Sequence, residues 1–387
     1  MEWSKGRVMG PLHDVTIIEI ASIGPGPFCG MMLADLGADV VRIDRADAVV
    51  RSADTGPSLE LMNRGKRSIG VDLKNPAGTQ IVLRMVEQAH ALIEGFRPGV
   101  AERLGIGPDP CRQHNPGLVY GRMTGWGQEG PLSGLAGHDI NYLALSGVLH
   151  TIGRVGEPPV PPLNLVGDFG GGGMLLALGV VAGLFEARRS GLGQVIDAAM
   201  IDGSALLTTM IHGMRAMGLW SDRRGVNLLD TGAPFYEVYE TSDGGFMAVG
   251  AIEPYFYSEF IELLELDGEL PDQLDARHWP EMKRQIAARF KKHSRHEWEA
   301  RFAGSDACVT PVLSMGEAPD HPHHRSRRTF VQRDGVTQPG PGPRFDRTPS
   351  EISGSPPAAG RHTDEVLAAF GFSEAERSSL YASGAVR

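Results

Sequence analysis

Several things are scarce in this chain of 387 residues, and each scarcity narrows what it can be. Lysine is rare, six residues against 31 arginines, a bias that points to a GC-rich bacterial genome. No basic block offsets a formal charge of −10, which argues against a nucleic-acid partner. Cys29, Cys111 and Cys308 stand far apart and in no C-x-x-C pair. That pattern supports neither a disulfide framework nor a zinc site, and it suits a reducing, cytoplasmic compartment. The longest apolar run, Met174 to Phe185, falls short of the roughly 20 residues that span a bilayer. The first ten residues are too polar for a signal peptide, so no membrane partner is expected. There is no Walker-type G-K-[ST] loop, and hence no support for nucleotide hydrolysis.

What is present suits a large folded chain. Hydrophobic residues make up 41% and charged residues 22%, too apolar for a disordered chain and enough for two domains or one large one. The 51 glycines and 27 prolines follow no collagen period and indicate many turns. Val15 to Ile20 reads as a buried strand, Phe28 to Leu36 as a helix and Asp39 to Ile43 as a second strand. A helix near Gly78 to Gln88 follows, with strands near Ala91 to Glu94, Leu118 to Met123 and Gln194 to Met200. This alternation predicts a parallel, doubly wound α/β sheet. Met174 to Arg189 and Ser204 to Trp220 read as long helices. A hairpin over Phe235 to Thr241 and Phe246 to Ala251, two helices (Glu281 to His293, Arg295 to Ala303) and a strand near Val309 to Leu313 predict a smaller α+β block. Thr348 to Ala359 reads as an extended linker. Thr363 reads as the N-cap of a helix running to Phe370, and Ser373 to Glu376 as a capping box.

The loop Gly24-Pro25-Gly26-Pro27 after the first strand invites a nicotinamide-dinucleotide reading, but the chemistry opposes it. A pyrophosphate cradle needs backbone N–H groups, and Pro25 and Pro27 have none. Cys29 also stands where the third glycine of G-x-G-x-x-G belongs.

Polar chemistry concentrates at Gly137 to Tyr142 (GHDINY), at Asn164 to Asp168 ahead of four glycines, and at Glu253 beyond the hairpin. None has metal-ligand spacing. Asp168 reads as lying just before a helix, whose free N–H groups at Gly170 to Gly173 could bind an anion or oxyanion; it reads equally well as a plain N-cap. His138 suits proton transfer near neutral pH, or is a structural histidine. Glu253 alone reads as a surface carboxylate. Met210, Met214 and Met217 recur at helical spacing and, with Met200, fit core packing. His321, His323 and His324 resemble a metal cluster, but Arg325, Arg327 and Arg328 beside them would repel a cation.

These motifs match a known family along nearly the whole chain. The segments VTIIEIASIGPGPFCGMMLADLGADVVRIDR (15–45), RSIGVDLKNPAG (67–78), IEGFRPGVAERLGIG (93–107), GHDINY (137–142), PPLNLVGDFGGGGM (161–174) and GAPFYEVYETSDGGFMAVGAIEPYFY (232–257) carry the likeness. The sequence resembles the alpha-methylacyl-CoA racemases, a branch of the family III CoA-transferases. In this resemblance, the histidine of GHDINY separates the racemases from transferases, which use an aspartate like Asp168 as a nucleophile.

The resemblance implies a family III CoA-transferase fold: a large Rossmann-like α/β domain (1–200 and 331–387), a connecting helix (201–224) and a smaller α+β domain (225–330), assembled as an interlocked homodimer. It implies racemisation of (2R)- and (2S)-2-methylacyl-CoA thioesters by 1,1-proton transfer through an enolate, with no cofactor and no metal. His138 paired with Glu253 would serve one face of the α-carbon and Asp168 the other, with Glu253 drawn from the opposite chain. Family positions matching Arg45, Val71, Gly95, Phe96, Arg97 and Arg103, with Gly137, Asp139, Ile140, Asn141 and Tyr142, would hold the acyl-CoA. The oxyanion donors would be the amides at Gly170 to Gly173 or that of Asp139. The methionines would form a loose acyl-chain surface. The alternatives are a CoA-transferase working through an aspartyl-CoA anhydride on Asp168, and a non-catalytic acyl-CoA binder.

Overall fold

Six short runs, most of them rich in Val and Ile, become six parallel strands: β1 (Thr16–Ile20), β2 (Asp39–Arg45), β3 (Arg67–Val71), β4 (Ala91–Glu94), β5 (Val119–Thr124) and β6 (Val195–Ala199). The computed structural model describes residues 10–52 and 59–387; most of the polar N-terminal stretch lies outside them. Strand order is β3-β2-β1-β4-β5-β6, so chain progression reverses between β1 and β4. In such sheets a ligand crevice opens there, beyond the carboxyl ends of the strands. β3 was not foreseen from sequence: Arg67, Ser68 and Gly70 interrupt its apolar pattern.

Side chains alternate across this sheet, and both faces are buried. Ile18, Ile20, Val41, Ile43, Ile69 and Leu92 pack on one face with the helix Pro76–Val86 and the C-terminal helix Thr363–Ala369. Ile17, Val40, Ala91, Ile93 and Val119 pack on the other with the helices Pro25–Asp35 and Leu175–Ser190. One charge sits among them. Glu19 on β1 is fully buried and pairs with Lys66 at 2.6 Å and Arg42 at 2.7 Å. Gly30 is required opposite it, because a Cβ there would collide with the Glu19 carboxylate.

Several sequence expectations are corrected. The first helix starts at Pro25, not Phe28, because proline is well suited to the first helical turn. Gly170 to Gly173 do not precede a helix but lie inside one: Leu165–Met174 is a π-helical segment that runs straight into Leu175–Ser190. The joined helix, 26 residues long, is apolar enough to cross a membrane by length and composition, unlike the shorter run read from sequence. It packs against β5, β6 and the Pro25–Asp35 helix. The expected helix Ser204 to Trp220 is two, Met200–Leu207 and Thr209–Ala216, parted where Thr208 leaves helical geometry. His362, not Thr363, caps the C-terminal helix; the Thr363 hydroxyl instead accepts the Gly70 N–H at 3.1 Å.

The chain divides into two units. The first, containing this sheet, comprises residues 1–146, 163–207 and 327–387. It also holds the hairpin β10 (Phe330–Arg333) and β11 (Val336–Pro339), turned at Asp334-Gly335. The second comprises 147–162 and 208–326. Its sheet is antiparallel, β7 (Tyr236–Glu240), β8 (Phe246–Gly250) and β9 (Val309–Pro311), over an aromatic core of Phe235, Phe260, Phe290 and Trp298. Segment 147–162, expected in the large domain, groups here: Arg154 pairs with Glu237 at 2.8 Å, and Arg224 donates to the His150 carbonyl at 2.9 Å.

Candidate active site

In the first unit GHDINY folds as a helix start. His138 is the N-cap of the helix Asp139–Leu145. Its backbone N–H donates to Asn141 Oδ1 at 3.0 Å, and the Asn141 N–H donates to the His138 carbonyl at 2.8 Å. Asn141 therefore holds the backbone that presents the histidine. Tyr142 is buried and donates to the Gly137 carbonyl at 2.5 Å, its ring edge-on to Trp126. A Cβ at Gly125 would collide with Tyr142, and one at Gly137 would lie 2.8 Å from its ring. The His138 side chain is exposed, as is Ile140.

The structure brings Asp168 to this helix. It lies in the first turn of the π-helical segment, half-buried. Its N–H donates to Asp139 Oδ1 at 2.7 Å, and Asn164 Nδ2 donates to its Oδ2 at 3.1 Å. Gly24, with φ +70°, faces the same carboxyl: a Cβ there would lie 3.4 Å from Asp168 Oδ2. Burial pushes the Asp168 carboxyl up, the Asn164 hydrogen bond opposes this, the Asp139 charge raises it further and His138 pulls it back. His138 thus acts on the Asp168 carboxyl. The Tyr142 phenol is also pushed up, by burial first and then by Asp168, with Arg97 opposing.

The glycines do not supply the oxyanion donors suggested by the sequence. Inside a π-helix the N–H of residue i is spent on the carbonyl five residues back. Gly171 and Gly203 instead let two backbones touch: a Cβ at Gly203 would collide with the Gly171 carbonyl.

At the sheet's switch point lies a pocket of about 900 Å³. The carboxyl ends of β1, β2 and β3 line it, with Phe96 from the loop after β4. Arg45 and Val71 are among its residues. Arg45 is exposed and forks onto Asp47 at 3.0 and 3.1 Å. Gly95, Arg97 and Arg103 are exposed on the same 95–104 segment, which gives Val100 and Leu104 to the wall. Glu253 belongs to the second unit, exposed at the N-cap of the helix Pro254–Leu263, with its charge acting on Cys308. Met210 and Met217 are exposed, contrary to the core-packing reading, whereas Met200 is buried.

Residues 12–363 match the family model for CoA-transferase family III. The chain belongs to that family. Among family III relatives, the alpha-methylacyl-CoA racemase of Mus musculus is 50% identical over 374 residues, 96% of each chain. That of Homo sapiens is 46% identical over 368 residues, 94% of each. The crystal structure of a CaiB/BaiF family protein from Brucella suis superposes with a TM-score of 0.80 at 23% identity, covering 94% of this chain and all of that one; this likeness concerns the fold. Within the family III frame, sequence reading missed Lys74 and Arg387 on the pocket rim, and it named Asn164 without its hydrogen bond to Asp168. Arg387 reaches the pocket because Val386 bridges to Val71 beside β3, a pairing with no local sequence signal. Asn164 stood four residues before an aspartate leading a helix, which was a usable cue.

Proposed function

We propose that this chain is a racemase of 2-methylacyl-CoA thioesters. It interconverts the 2R and 2S epimers by removing the α-proton on one face and returning one on the other. The observation that carries this reading is a histidine and a carboxyl placed at two adjoining helix starts. Neutral His138 accepts the α-proton of one epimer. Asp168, whose carboxyl burial pushes up, returns a proton to the opposite face. The reverse reaction exchanges the roles. An aspartate like Asp168 serves the CoA-transferase reading as well, so it is His138 beside it that favours the racemase. Of the two oxyanion donors suggested by the sequence, we assign the Asp139 amide, at a helix start where no intrahelical carbonyl reaches it.

The CoA moiety fits the 900 Å³ pocket. Ile20, Ile43, Val71 and Phe96 offer apolar wall for an adenine, while Arg45, Lys74 and Arg387 offer cations for phosphates. Glu253 then partners His138 from the opposite chain of a homodimer, orienting the ring and stabilising the imidazolium. Supporting an assembly, the outer face of Leu175–Ser190 exposes Leu178, Val181 and Phe185 at helical spacing, an uncovered apolar stripe of the kind that marks interfaces. Branched fatty, sterol side-chain and aryl-propionyl thioesters all present the reacting carbon, and branched-chain lipid degradation is the setting we propose. The three free cysteines favour the reducing cytoplasm.

Incubating a (2R)-2-methylacyl-CoA with the enzyme in D₂O, without an acceptor acid, tests the reading by NMR. Deuterium at C2 with accumulation of the 2S epimer is expected. His138→Ala should slow both by roughly 10²–10⁴-fold. No exchange, but CoA transfer once a free carboxylic acid is added, would make the protein a transferase.

A further inference from the structure

Beside Asp168 stands a second carboxylate to which the reaction scheme assigns no side-chain task. Asp139 is only 6% exposed. One oxygen, Oδ1, accepts the Asp168 N–H at 2.7 Å. The other, Oδ2, is buried and has no hydrogen-bond partner. A buried carboxylate oxygen without a partner is costly, so its retention at this spot calls for a function. The contact is close: a Cβ at Gly167 would collide with Asp139 Oδ1, so only glycine there lets the two turns meet.

We propose that Asp139 is a positioning residue for Asp168: one oxygen fixes the turn that carries Asp168, and the charge of its buried carboxylate bears on the Asp168 carboxyl. This rests on the racemase reading for its purpose but not for its test. The Asp139 charge beside Asp168 disfavours its ionised form. The groups acting on Asp168 are few. From its own segment Asn164 donates a hydrogen bond that favours the ionised form; from the Asp139–Leu145 helix start come the Asp139 charge, which disfavours it, and His138, which favours it. The Tyr142 phenol feels the Asp168 charge, with Arg97 opposing it. Asp139 and Asn164 therefore push in opposite directions, and two variants can read them separately.

Asp139→Asn keeps an oxygen for the Asp168 N–H and removes the charge. Asn164→Ala removes the donor. The Asp168 carboxyl can be followed by ¹³C NMR on ligand-free protein labelled at aspartate, with Asp168→Asn to assign the signal. The midpoint should move to lower pH in Asp139→Asn and to higher pH in Asn164→Ala. In the epimer that Asp168 deprotonates, the rising limb of kcat/KM against pH should move the same two ways. An unmoved or raised midpoint in Asp139→Asn overturns the proposal. Should that variant not fold, a downward or absent shift in Asn164→Ala overturns the opposed pair on which it rests. A midpoint that shifts as expected in a protein exchanging no α-proton would leave the carboxyl pair standing and remove the racemase reading instead.

Discussion

Single residues carry much of the stability and of the pH response. Lys66 is fully buried and holds Glu19 at 2.6 Å while donating to the Pro27 carbonyl at 3.0 Å. Burial pushes its ammonium down, and Glu19 restores part of the shift. Lys66→Met leaves the buried carboxylate short of a partner and should cost about 3–5 kcal/mol in chemical denaturation; a loss below 1 kcal/mol would mean that Arg42 alone suffices. Glu94 ends β4 at the switch point. Its Oε2 accepts the Phe96 N–H at 2.6 Å, and its Oε1 accepts from Arg122 at 3.1 Å. Burial pushes its carboxyl up to about 7 against both partners, whereas an unfolded glutamate titrates near about 4.3. Between those values the folded state keeps a proton that the unfolded state has lost. Stability therefore falls as pH rises through that window, then levels off above pH 7. Glu94→Gln abolishes this titration, so its stability relative to the parent should improve steadily from pH 4.5 to 7. A difference that stays flat with pH would contradict the assignment. At this scale the sequence was informative about chemistry but not about partners. His138 and Asp168 stood out as groups able to move protons, whereas no local pattern announces that Asp139 turns its carboxylate onto the Asp168 amide 29 residues away.

Helices and strands follow their local patterns closely, and they depart where tertiary contact decides. Apolar runs bounded by Gly and Asp located β1, β2, β4 and β5 to within about two residues. β3 escaped because Ser68 and Gly70 serve distant partners: Ser68 Oγ donates to Asp44, and the Gly70 N–H donates to Thr363. The glycine run escaped for another reason. Propensity reads four glycines as a loop, yet here Gly171 and Gly172 leave the π-helical segment room to lie against Met200–Leu207. A Cβ at Gly171 would stand 2.7 Å from the Ser204 nitrogen. Gly203→Ala should therefore destabilise the fold by about 1–3 kcal/mol, although alanine favours helices. A neutral or stabilising result in thermal unfolding would show that the two backbones can part.

For the whole molecule, three separated stretches of chain build the sheet-bearing unit, and only family likeness, not periodicity, indicated such interleaving. The sites of the proposed homodimer would each take His138 and Glu253 from different chains. Mixing inactive His138→Ala and Glu253→Ala proteins under subunit exchange should then restore activity, because one site of each mixed dimer carries neither substitution. Activity that stays absent in confirmed mixed dimers would place both residues on one chain. Leu178→Glu with Phe185→Glu should yield a monomer in sedimentation, since it plants charges on the exposed stripe.

The start of the Pro25–Asp35 helix gives the site one more property. A helix start is ordinarily an anion sink, with bare amide hydrogens drawing negative charge. Here two of its first three residues are proline and have no such hydrogen to offer, and Gly24 just before them faces the Asp168 carboxyl, where a Cβ would lie 3.4 Å from Oδ2. The prolines that disqualify this loop as a pyrophosphate cradle also leave this helix start with few N–H groups to draw the Asp168 carboxyl toward its ionised form.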